Sequence, residues 1–398
     1  QIGGHRHGGN VDVNIHASLG QDFRRQTYGD AVRALRQQQR ELDRQRDRLL
    51  LAAVVGKHPL GGLLVEDHFV GEFRKAGFDI TARGGFVARE VTVSYGAGTA
   101  YAPDAIIEAS TQLDFHEPLA PGAWRRGIAT ADVDYSLLDE SQRLRGDAAK
   151  VIDLLEGGGS PEDDYVVRKI CRVNEGCAAM NANIGAQAAR WLDAGKLVGL
   201  VGGDHSTPYG LIRALGERHA EFGILHIDAH CDLRDAYEGF EFSHASIMFN
   251  VLRDVPAVTK IAQVAVRDFS EREAALAASS GRVVLFDDLS LAAAGFRGET
   301  WDAQCLRIVE TLPQEVYVSF DIDGLSYENC PHTGTPVAGG LGFNQAVWLL
   351  DTLVRSGRRI VGFDVVEVTP AREERIDAIT GARVLWKLCN LTLKSNVR

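Results

Sequence analysis

Short apolar runs alternate with amphipathic stretches through the second half of the chain. The runs are rich in Val, Ile, Leu and Phe, which predicts buried strands at 196–202, 222–228, 260–266, 282–287, 315–322 and 359–366. Amphipathic segments between them predict helices at 207–222, 271–279 and 344–357. Apolar strands separated by helices are typical of a parallel sheet that is covered on both faces. We therefore predict an α/β fold built on a mostly parallel sheet.

The chain before this region has a different composition. Residues 1–20 are rich in Gly, His and Asn without periodicity, so we predict a mobile N-terminal segment. Residues 21–90 predict a helical N-terminal extension, with Leu35, Leu42 and Leu49 spaced by seven in an arginine-rich stretch. One apolar residue per heptad is too few for a coiled-coil seam, so we expect a surface helix that packs on its own domain or on a neighbouring subunit. Residues 91–398 contain all the predicted strands and form the third segment.

Composition and charge argue against several functional classes. The formal net charge of −11 disfavours a general nucleic-acid binder and favours small cationic ligands. No apolar run approaches the roughly 20 residues that span a bilayer, and the first residues lack a signal-peptide pattern. The six cysteines form no CxxC pair, so neither a disulfide framework nor a structural zinc site is expected. We predict a cytoplasmic protein without membrane contact.

Acidic and histidine residues follow four of the predicted strands. The stretches are GGDHS (202–206), DAHCD (228–232), DID (321–323) and DVVEVTP (364–370). Parallel strands end at one edge of a sheet, and ligands bind outside that edge. We therefore expect these side chains to meet there, and this convergence is the strongest functional signal in the chain.

The clustered groups are suited to binding metal. Side chains at i and i+2 of an extended strand point to one face, about 6.5–7 Å apart. The candidate ligands are His205, Asp228, His230, Asp232, Asp321 and Asp323. Their carboxylates would repel one another, and two divalent cations would balance the charge. Oxygen and imidazole ligands without thiolate suit Mn(II), Ni(II), Fe(II) or Zn(II), and a pair of such ions can deprotonate a water for hydrolysis. A single-metal site and a set of hydrogen-bonded strand ends are the alternatives.

Three further residues fit beside such a site. His244 lies on the loop that leaves the same strand as Asp232, where a near-neutral pKa suits proton transfer, although a lone loop histidine is more often structural. Glu367 follows the last strand and can hold a planar cation through two parallel hydrogen bonds. Asp204 precedes His205 and could orient it.

These motifs together resemble the ureohydrolase family, which includes arginases and agmatinases. The matching pieces are YGAGTAYAPDAIIEAS (95–110), GGDHS (202–206), DAHCD (228–232), SHAS (243–246), SFDID (319–323), TGTP (333–336) and DVVEVTP (364–370). They occur in the family's order and cover about residues 90–398. Residues 91–398 are therefore interpreted as a ureohydrolase catalytic domain.

The resemblance implies a three-layer α/β/α fold with about eight mostly parallel strands and a binuclear manganese centre, with Ni(II) as the alternative metal. Carried over by position, the ligands are His205, Asp228, His230, Asp232, Asp321 and Asp323. Asp232 and His244 would deliver a proton to the leaving nitrogen, and Glu367 would meet the substrate guanidinium. The reaction would release urea and an amine, and relatives imply a homo-oligomer, either a trimer or a hexamer.

The substrate is less well defined by the sequence. Residues 232–246 look closer to agmatinases than to arginases, and Glu238 and Glu241 are candidate contacts for the distal ammonium of agmatine. Three departures from agmatinases leave this open. Ser326-Tyr327 replaces the usual Asp-Pro, and His332 replaces a common Gly. The residues MFNV follow SHASI, where agmatinases often have basic residues. Free guanidine with nickel, guanidino acids and formiminoglutamate are alternative substrates. An inactive scaffold on the same fold is the non-enzyme alternative, and the filled ligand positions argue against it.

Overall fold

A single parallel sheet organises the part of the chain that the computed structural model describes, which is residues 90–93, 98–131, 135–371 and 374–397. Its strands are β1 (Val198–Val201), β2 (Phe222–Ile227), β3 (Val258–Val264), β4 (Val283–Phe286), β5 (Glu315–Asp321) and β6 (Arg359–Val366). Their order is β1-β6-β5-β2-β3-β4, and every neighbouring pair is parallel. The predicted parallel sheet is confirmed, with six strands in the described ranges where about eight were expected.

Ten α-helices in the described ranges flank these strands. They are α1 (Ala102–Ser110), α2 (Tyr135–Glu156), α3 (Asp164–Asp193), α4 (Tyr209–Gly216), α5 (Ile247–Asp254), α6 (Glu271–Ser279), α7 (Asp288–Phe296), α8 (Trp301–Glu310), α9 (Phe343–Arg355) and α10 (Ile376–Ser395). The predicted helix at 271–279 has those bounds because Ser270 and Glu273 form a reciprocal capping box at its start. None of these helices is long and apolar enough to cross a membrane. The N-terminal segment and the helical extension predicted at 1–90 lie outside the described residues, apart from Glu90.

Alternate residues of the central strands pack into two cores, one on each face of the sheet. In β5, Val316, Val318 and Phe320 belong to the first core, and Tyr317 belongs to the second. The first core includes residues of α1, α8, α9 and α10, and the second includes residues of α3, α4 and α5. Because strand side chains alternate between faces, helices on both sides cover both sets of apolar residues. This explains why the strands read as continuous apolar runs.

The strand order gathers the polar strand ends at one place. The four strands that precede acidic or histidine residues are β1, β2, β5 and β6, and they are consecutive in the sheet as β1-β6-β5-β2. Since all of them are parallel, their carboxyl ends lie at the same edge. The loop that follows β2 is anchored there by Phe240, which is fully buried in a third core with residues of α2 and α3.

The edge strand β1 provides a test of core packing. Gly199 pairs with Phe363 of β6, and a Cβ added to Gly199 would overlap the Phe363 ring. We predict that Gly199→Val lowers the free energy of unfolding by about 1–3 kcal/mol, because overpacking outweighs the better strand propensity of valine. Urea unfolding measures this change.

A matched control is Gly146→Ala in α2. No atom lies within 4 Å of the Cβ that would be added to this exposed residue. Glycine loses more conformational freedom than alanine when the helix folds, so this substitution should raise the free energy of unfolding by about 0.5–1 kcal/mol. A Gly199→Val protein as stable as the wild type would contradict the packing argument.

Candidate metal centre

The first group of side chains converges on one nitrogen of His205. The Nδ1 atom of His205 lies 2.9 Å from Asp228 Oδ2, 3.0 Å from Asp232 Oδ2 and 3.2 Å from Asp321 Oδ2. These four residues come from the ends of β1, β2 and β5 and are buried. We call them the first group, and their converging atoms match the donor set of a divalent cation.

The second group shares Asp228 with the first. The Nδ1 atom of His230 lies 3.2 Å from Asp323 Oδ2 and 3.4 Å from the other oxygen of Asp228, Oδ1. The two oxygens of Asp228 therefore face different groups. A carboxylate in this position can bridge two ions, so the six predicted ligands are brought together in two adjoining sets.

The tautomer of His205 explains why the first group suits a cation. The Ser319 hydroxyl donates to Asp364 Oδ2 at 2.8 Å, so its oxygen is free to accept from His205 Nε2, which lies 2.9 Å away. With the hydrogen on Nε2, the neutral ring presents a lone pair at Nδ1 to three carboxylates. In the structure this buried Nδ1 has no hydrogen bond of suitable direction. A metal ion would satisfy all four atoms, and the donor set therefore fits one.

The electrostatics of the site also favour bound cations. Burial and the neighbouring charges of Asp323 and Asp228 raise the pKa of Asp321 well above its usual range. Burial opposes charge on His230, but Asp323 and Asp228 raise the pKa of that ring to about 12. Within the described ranges no lysine or arginine side chain forms an ion pair with the acidic ligands, and the basic side chains beside them there are histidines. The crowded carboxylates therefore favour bound protons at this site, and divalent ions would supply the positive charge in place of those protons.

Tight backbone turns that begin at the strand ends, and not one continuous extended strand, place the aspartates. Strand β2 ends at Ile227, and the Asp228 side chain accepts from the His230 backbone N–H at 2.6 Å. Asp321 accepts from the Asp323 N–H in the same way at 2.9 Å. Asp232 has a left-handed backbone with φ of 53°. The convergence predicted for these residues is found, but its predicted cause, i and i+2 alternation along a strand, is wrong because the chain leaves the sheet before Asp228 and directly after Asp321.

Glu367 follows β6 and reaches the first group through the backbone. Its Oε1 accepts from the His205 N–H at 2.7 Å, and its own N–H donates to Gly203 O at 2.8 Å. Its φ is 60°, a left-handed conformation that is costly for a non-glycine residue. Burial and the charge of Asp204 raise the pKa of Glu367 well above its usual range. The side chain is thus held at the edge of the cluster through Oε1, and among the described residues Oε2 has no hydrogen bond.

The residue that orients His205 differs from the one predicted. Asp204 accepts from the backbone N–H groups of Ser206 at 3.0 Å and Val91 at 3.3 Å, and so holds the backbone around it. The His205 ring is oriented by Ser319 and Asp364, which are paired neighbours on β5 and β6. Sequence reasoning missed both residues. The available signal was a polar residue inside each of two otherwise apolar strands.

His226 supports Asp228 from within β2. Gln263 Nε2 lies 2.6 Å from Cys231 O, which can only accept, and 3.0 Å from His226 Nδ1. The amide therefore donates to Nδ1, and the ring hydrogen sits on Nε2, which lies 2.7 Å from Asp228 Oδ2. His226 also falls among the side chains that could hold an ion with the first group. Its hydrogen bond favours the interpretation that it positions Asp228.

His244 lies on the loop after β2, at the start of a short 3₁₀ turn, His244–Ser246. Its Nδ1 is buried without a hydrogen-bond partner, and the Tyr237 ring packs edge-on at 5.7 Å between centroids. Burial lowers the pKa of His244, and the nearby charge of Asp232 opposes that effect. A ring with a lowered pKa and an Nδ1 that lacks a partner, within the electrostatic influence of Asp232, is suited to accept and return a proton.

The two predicted substrate acids have different surroundings. The Glu241 carboxylate forms an ion pair with Arg253 of α5 at 2.9 Å, so the structure gives it a protein partner. Glu238 has a left-handed backbone, with φ of 53°, and a buried Oε2 without a partner. Burial and the charge of Glu156 raise the pKa of Glu238. Of the two, Glu238 is the better candidate for a substrate cation.

The loop that contains Ser326-Tyr327 and His332, two of the three sequence departures, borders the site. Thr333 Oγ1 donates to Glu367 O at 2.9 Å, and Thr335 Oγ1 lies 3.4 Å from Asp323 Oδ2. His332 is held by buried Asp377, whose carboxylate accepts from the His332 N–H at 2.9 Å and lies 2.7 Å from Nδ1. The Ser326 hydroxyl donates to the Glu328 carboxylate at 2.7 Å within the same short turn. The departures therefore build local structure beside the cluster without replacing a candidate ligand.

Comparison with known proteins identifies the family. The family model described as Arginase family matches residues 86–390. The chain is 34% identical over 241 residues to N(1)-aminopropylagmatine ureohydrolase of Thermus thermophilus, covering 60% of this chain and 78% of that protein. It is 31% identical over 194 residues to agmatinase of Pyrococcus horikoshii, covering 49% of this chain and 62% of that protein. The crystal structure of arginase from Medicago truncatula has the same fold, with a TM-score of 0.60, 21% identity, and coverage of 94% of this chain and 99% of that one. The chain therefore belongs to the arginase family and is a hydrolase of C–N bonds in guanidino compounds.

Proposed function

We propose that this protein is a binuclear-metal amidinohydrolase that releases urea from an agmatine-type substrate. The observation that carries the proposal is the position of Asp228, whose two oxygens face two separate histidine and carboxylate groups. One ion would be held by His205, Asp228, Asp232 and Asp321, and the other by Asp228, His230 and Asp323. Manganese is the metal that the family resemblance implies, and nickel suits the same ligands.

Two ions in these groups would supply Lewis acidity and an activated water at neutral pH. The protein's own residues would do the remaining work. His205 is held in one tautomer by Ser319, so its Nδ1 stays available as a ligand. His226 and the backbone N–H of His230 hold Asp228 between the groups.

The substrate guanidinium would bind Glu367. A guanidinium stays charged at neutral pH, since its pKa exceeds about 12. Oε1 of Glu367 is fixed by the His205 N–H, which leaves Oε2 to accept from the guanidinium and orient its carbon. His244 would move a proton to the leaving nitrogen, with Asp232 nearby, so that the product departs as an amine.

The substrate assignment is supported by the names of the relatives and by Glu238. The relatives described above act, by their names, on agmatine or on agmatine that carries an aminopropyl group. Both molecules have a cationic amine away from the guanidinium. The unpaired Glu238 carboxylate, with Glu156 nearby, is suited to attract such an amine.

We further propose that residues 91–398 form the catalytic domain, that 1–90 are an appended segment, and that the protein acts in the cytoplasm as a homo-oligomer. The match of the family model to residues 86–390 supports the domain boundary. The absence of a membrane-crossing helix in the described ranges is compatible with that location.

A substrate panel tests the proposed reaction. Metal-loaded protein should release urea from agmatine or N(1)-aminopropylagmatine with a higher kcat/KM than from arginine, guanidinobutyrate, guanidinopropionate or free guanidine. The reason is that Glu238 would favour a distal amine over a distal carboxylate or no tail. Urea is measured after incubation with Mn(II) and, in parallel, with Ni(II).

The matched control for this panel is Asp228→Asn, which keeps the side-chain shape but removes the shared negative charge. Urea release by that variant would point to a contaminant. Urea release from free guanidine alone would overturn the agmatine assignment. No urea release from any compound of the panel would overturn the guanidino reaction.

Two substitutions separate metal binding from proton transfer. Asp232→Ala removes a carboxylate that faces His205, so it should lose one ion and most activity. His244→Ala should keep both ions and lower kcat by about 100- to 10,000-fold, the usual contribution of a general acid or base. Metal stoichiometry by elemental analysis and steady-state kinetics give the two readouts. A His244→Ala protein without metal would contradict the proton-transfer role.

Chelation should destabilise the protein, because buried carboxylates would be left to repel one another. With free metal at 100 times its Kd, each site contributes about 2.7 kcal/mol, and chelator should lower the Tm accordingly. Differential scanning calorimetry measures this shift, with Asp228→Asn as the insensitive control. An unchanged wild-type Tm in chelator would argue against structural coupling between the ions and the fold.

A further inference from the structure

Arg267 binds four backbone carbonyls just outside the candidate metal centre. Its guanidinium donates to Ala265 O at 2.9 Å, Asp323 O at 2.7 Å, Leu325 O at 3.3 Å and Val337 O at 3.0 Å. None of these partners is a carboxylate. An arginine whose charge is committed to neutral carbonyls is fixing backbone positions, which suits its planar set of donors.

Hydrogen bonds of Arg267 form a closed ring with Ala229 and the candidate ligand Asp323. The Arg267 backbone N–H donates to Ala229 O at 2.8 Å, and the Ala229 N–H donates to Asp323 Oδ1 at 3.0 Å. The Arg267 side chain then returns to the carbonyl of Asp323. Asp323 is therefore held at both its backbone and its carboxylate, and Ala229 lies between the ligands Asp228 and His230. The ring fixes the spacing between the two chain segments that form the second group.

The local backbone is shaped to permit these contacts. Ala265 follows β3 with φ of 74°, and its carbonyl accepts from Arg267. Gly340 has φ of 93°, and a Cβ added there would lie 2.9 Å from Arg267 Nη2 and 2.6 Å from Leu325 O. The left-handed backbone of Ala265 and the absence of a side chain at Gly340 both allow the Arg267 guanidinium to lie where it does.

We propose that Arg267 is a positioning residue that sets the geometry of the Asp228, His230 and Asp323 group and thereby its affinity for one of the two ions. This inference rests on the proposed function, because it concerns how that function's metal centre is held. In the described part of the chain the Arg267 side chain hydrogen-bonds to backbone carbonyls and not to the candidate ligand atoms, so it would act through the backbone of Asp323 and Ala229.

Arg282 supplies a matched control. It also donates to backbone carbonyls, at 2.8 Å to Val258 O, 2.7 Å to Leu252 O and 2.9 Å to Val255 O. It precedes β4, at the amino edge of the parallel sheet, opposite the metal centre. Loss of either arginine removes several hydrogen bonds, but only Arg267 contacts the segments of the second group.

The experiment compares Arg267→Gln, Arg267→Lys and Arg282→Gln with the wild type in the full chain. Isothermal titration with Mn(II), repeated with Ni(II), gives the number of ions and their affinities, and calorimetry gives the Tm. We expect wild type and Arg282→Gln to bind two ions alike, although Arg282→Gln has a lower Tm. In Arg267→Gln one ion should bind with wild-type affinity and the other about 10- to 100-fold more weakly. Arg267→Lys keeps the charge but has one donor nitrogen in place of three, so its affinity should lie between these values.

The outcomes separate this inference from the proposed function. A wild-type protein that binds at most one ion overturns the binuclear proposal, and this inference with it. If the wild type binds two ions and both Arg267 variants bind them with wild-type affinities, only the positioning role is overturned. The same holds if Arg282→Gln loses as much affinity as Arg267→Gln. If Arg267→Gln does not fold, Arg267→Lys decides by the same comparison.

Discussion

Repulsion among buried carboxylates governs how the carboxyl edge of this sheet is built. Asp228, Asp232, Asp321 and Asp323 are each less than 5% exposed. An uncompensated buried charge costs several kcal/mol, so every such group needs donors. Histidines supply some of these donors, and backbone N–H groups such as those of His230, Asp323 and Ala229 supply others. The donors orient the carboxylates without neutralising them, which leaves a site prepared for cations.

Much of the fold could be predicted from the sequence because its signals are local. Each of the six apolar runs became a strand, and the alternation with helices correctly indicated a parallel sheet. The polar residues at four strand ends were also a reliable guide, because parallel pairing brings such ends to one edge. The strand order β1-β6-β5-β2 was not readable, since it depends on which strands pair across long stretches of sequence.

The candidate site was predictable in its members but less so in its geometry. The six candidate ligands do come together, yet the extended strand that the alternation suggested ends before Asp228 and at Asp321, and tight turns follow. Ser319 and Asp364 each stood out as a polar residue within an apolar strand, but their hydrogen bond depends on the pairing of β5 with β6, which a single sequence does not reveal. Glu241 was predicted as a substrate contact, but the structure pairs it with Arg253. This pairing depends on the position of α5, which the loop sequence does not reveal.

The left-handed backbone at Asp232 and Glu367 restricts which sequences can occupy these positions. Each must supply a carboxylate and also tolerate a conformation that most residues avoid, and branched side chains tolerate it least. A substitution that preserved the charge would still have to satisfy the backbone. Glycine would satisfy the backbone and lose the charge. These two residues therefore meet two independent requirements, one on charge and one on backbone conformation. As family members diverge, these positions should change more slowly than a candidate ligand such as His205, whose backbone is not left-handed.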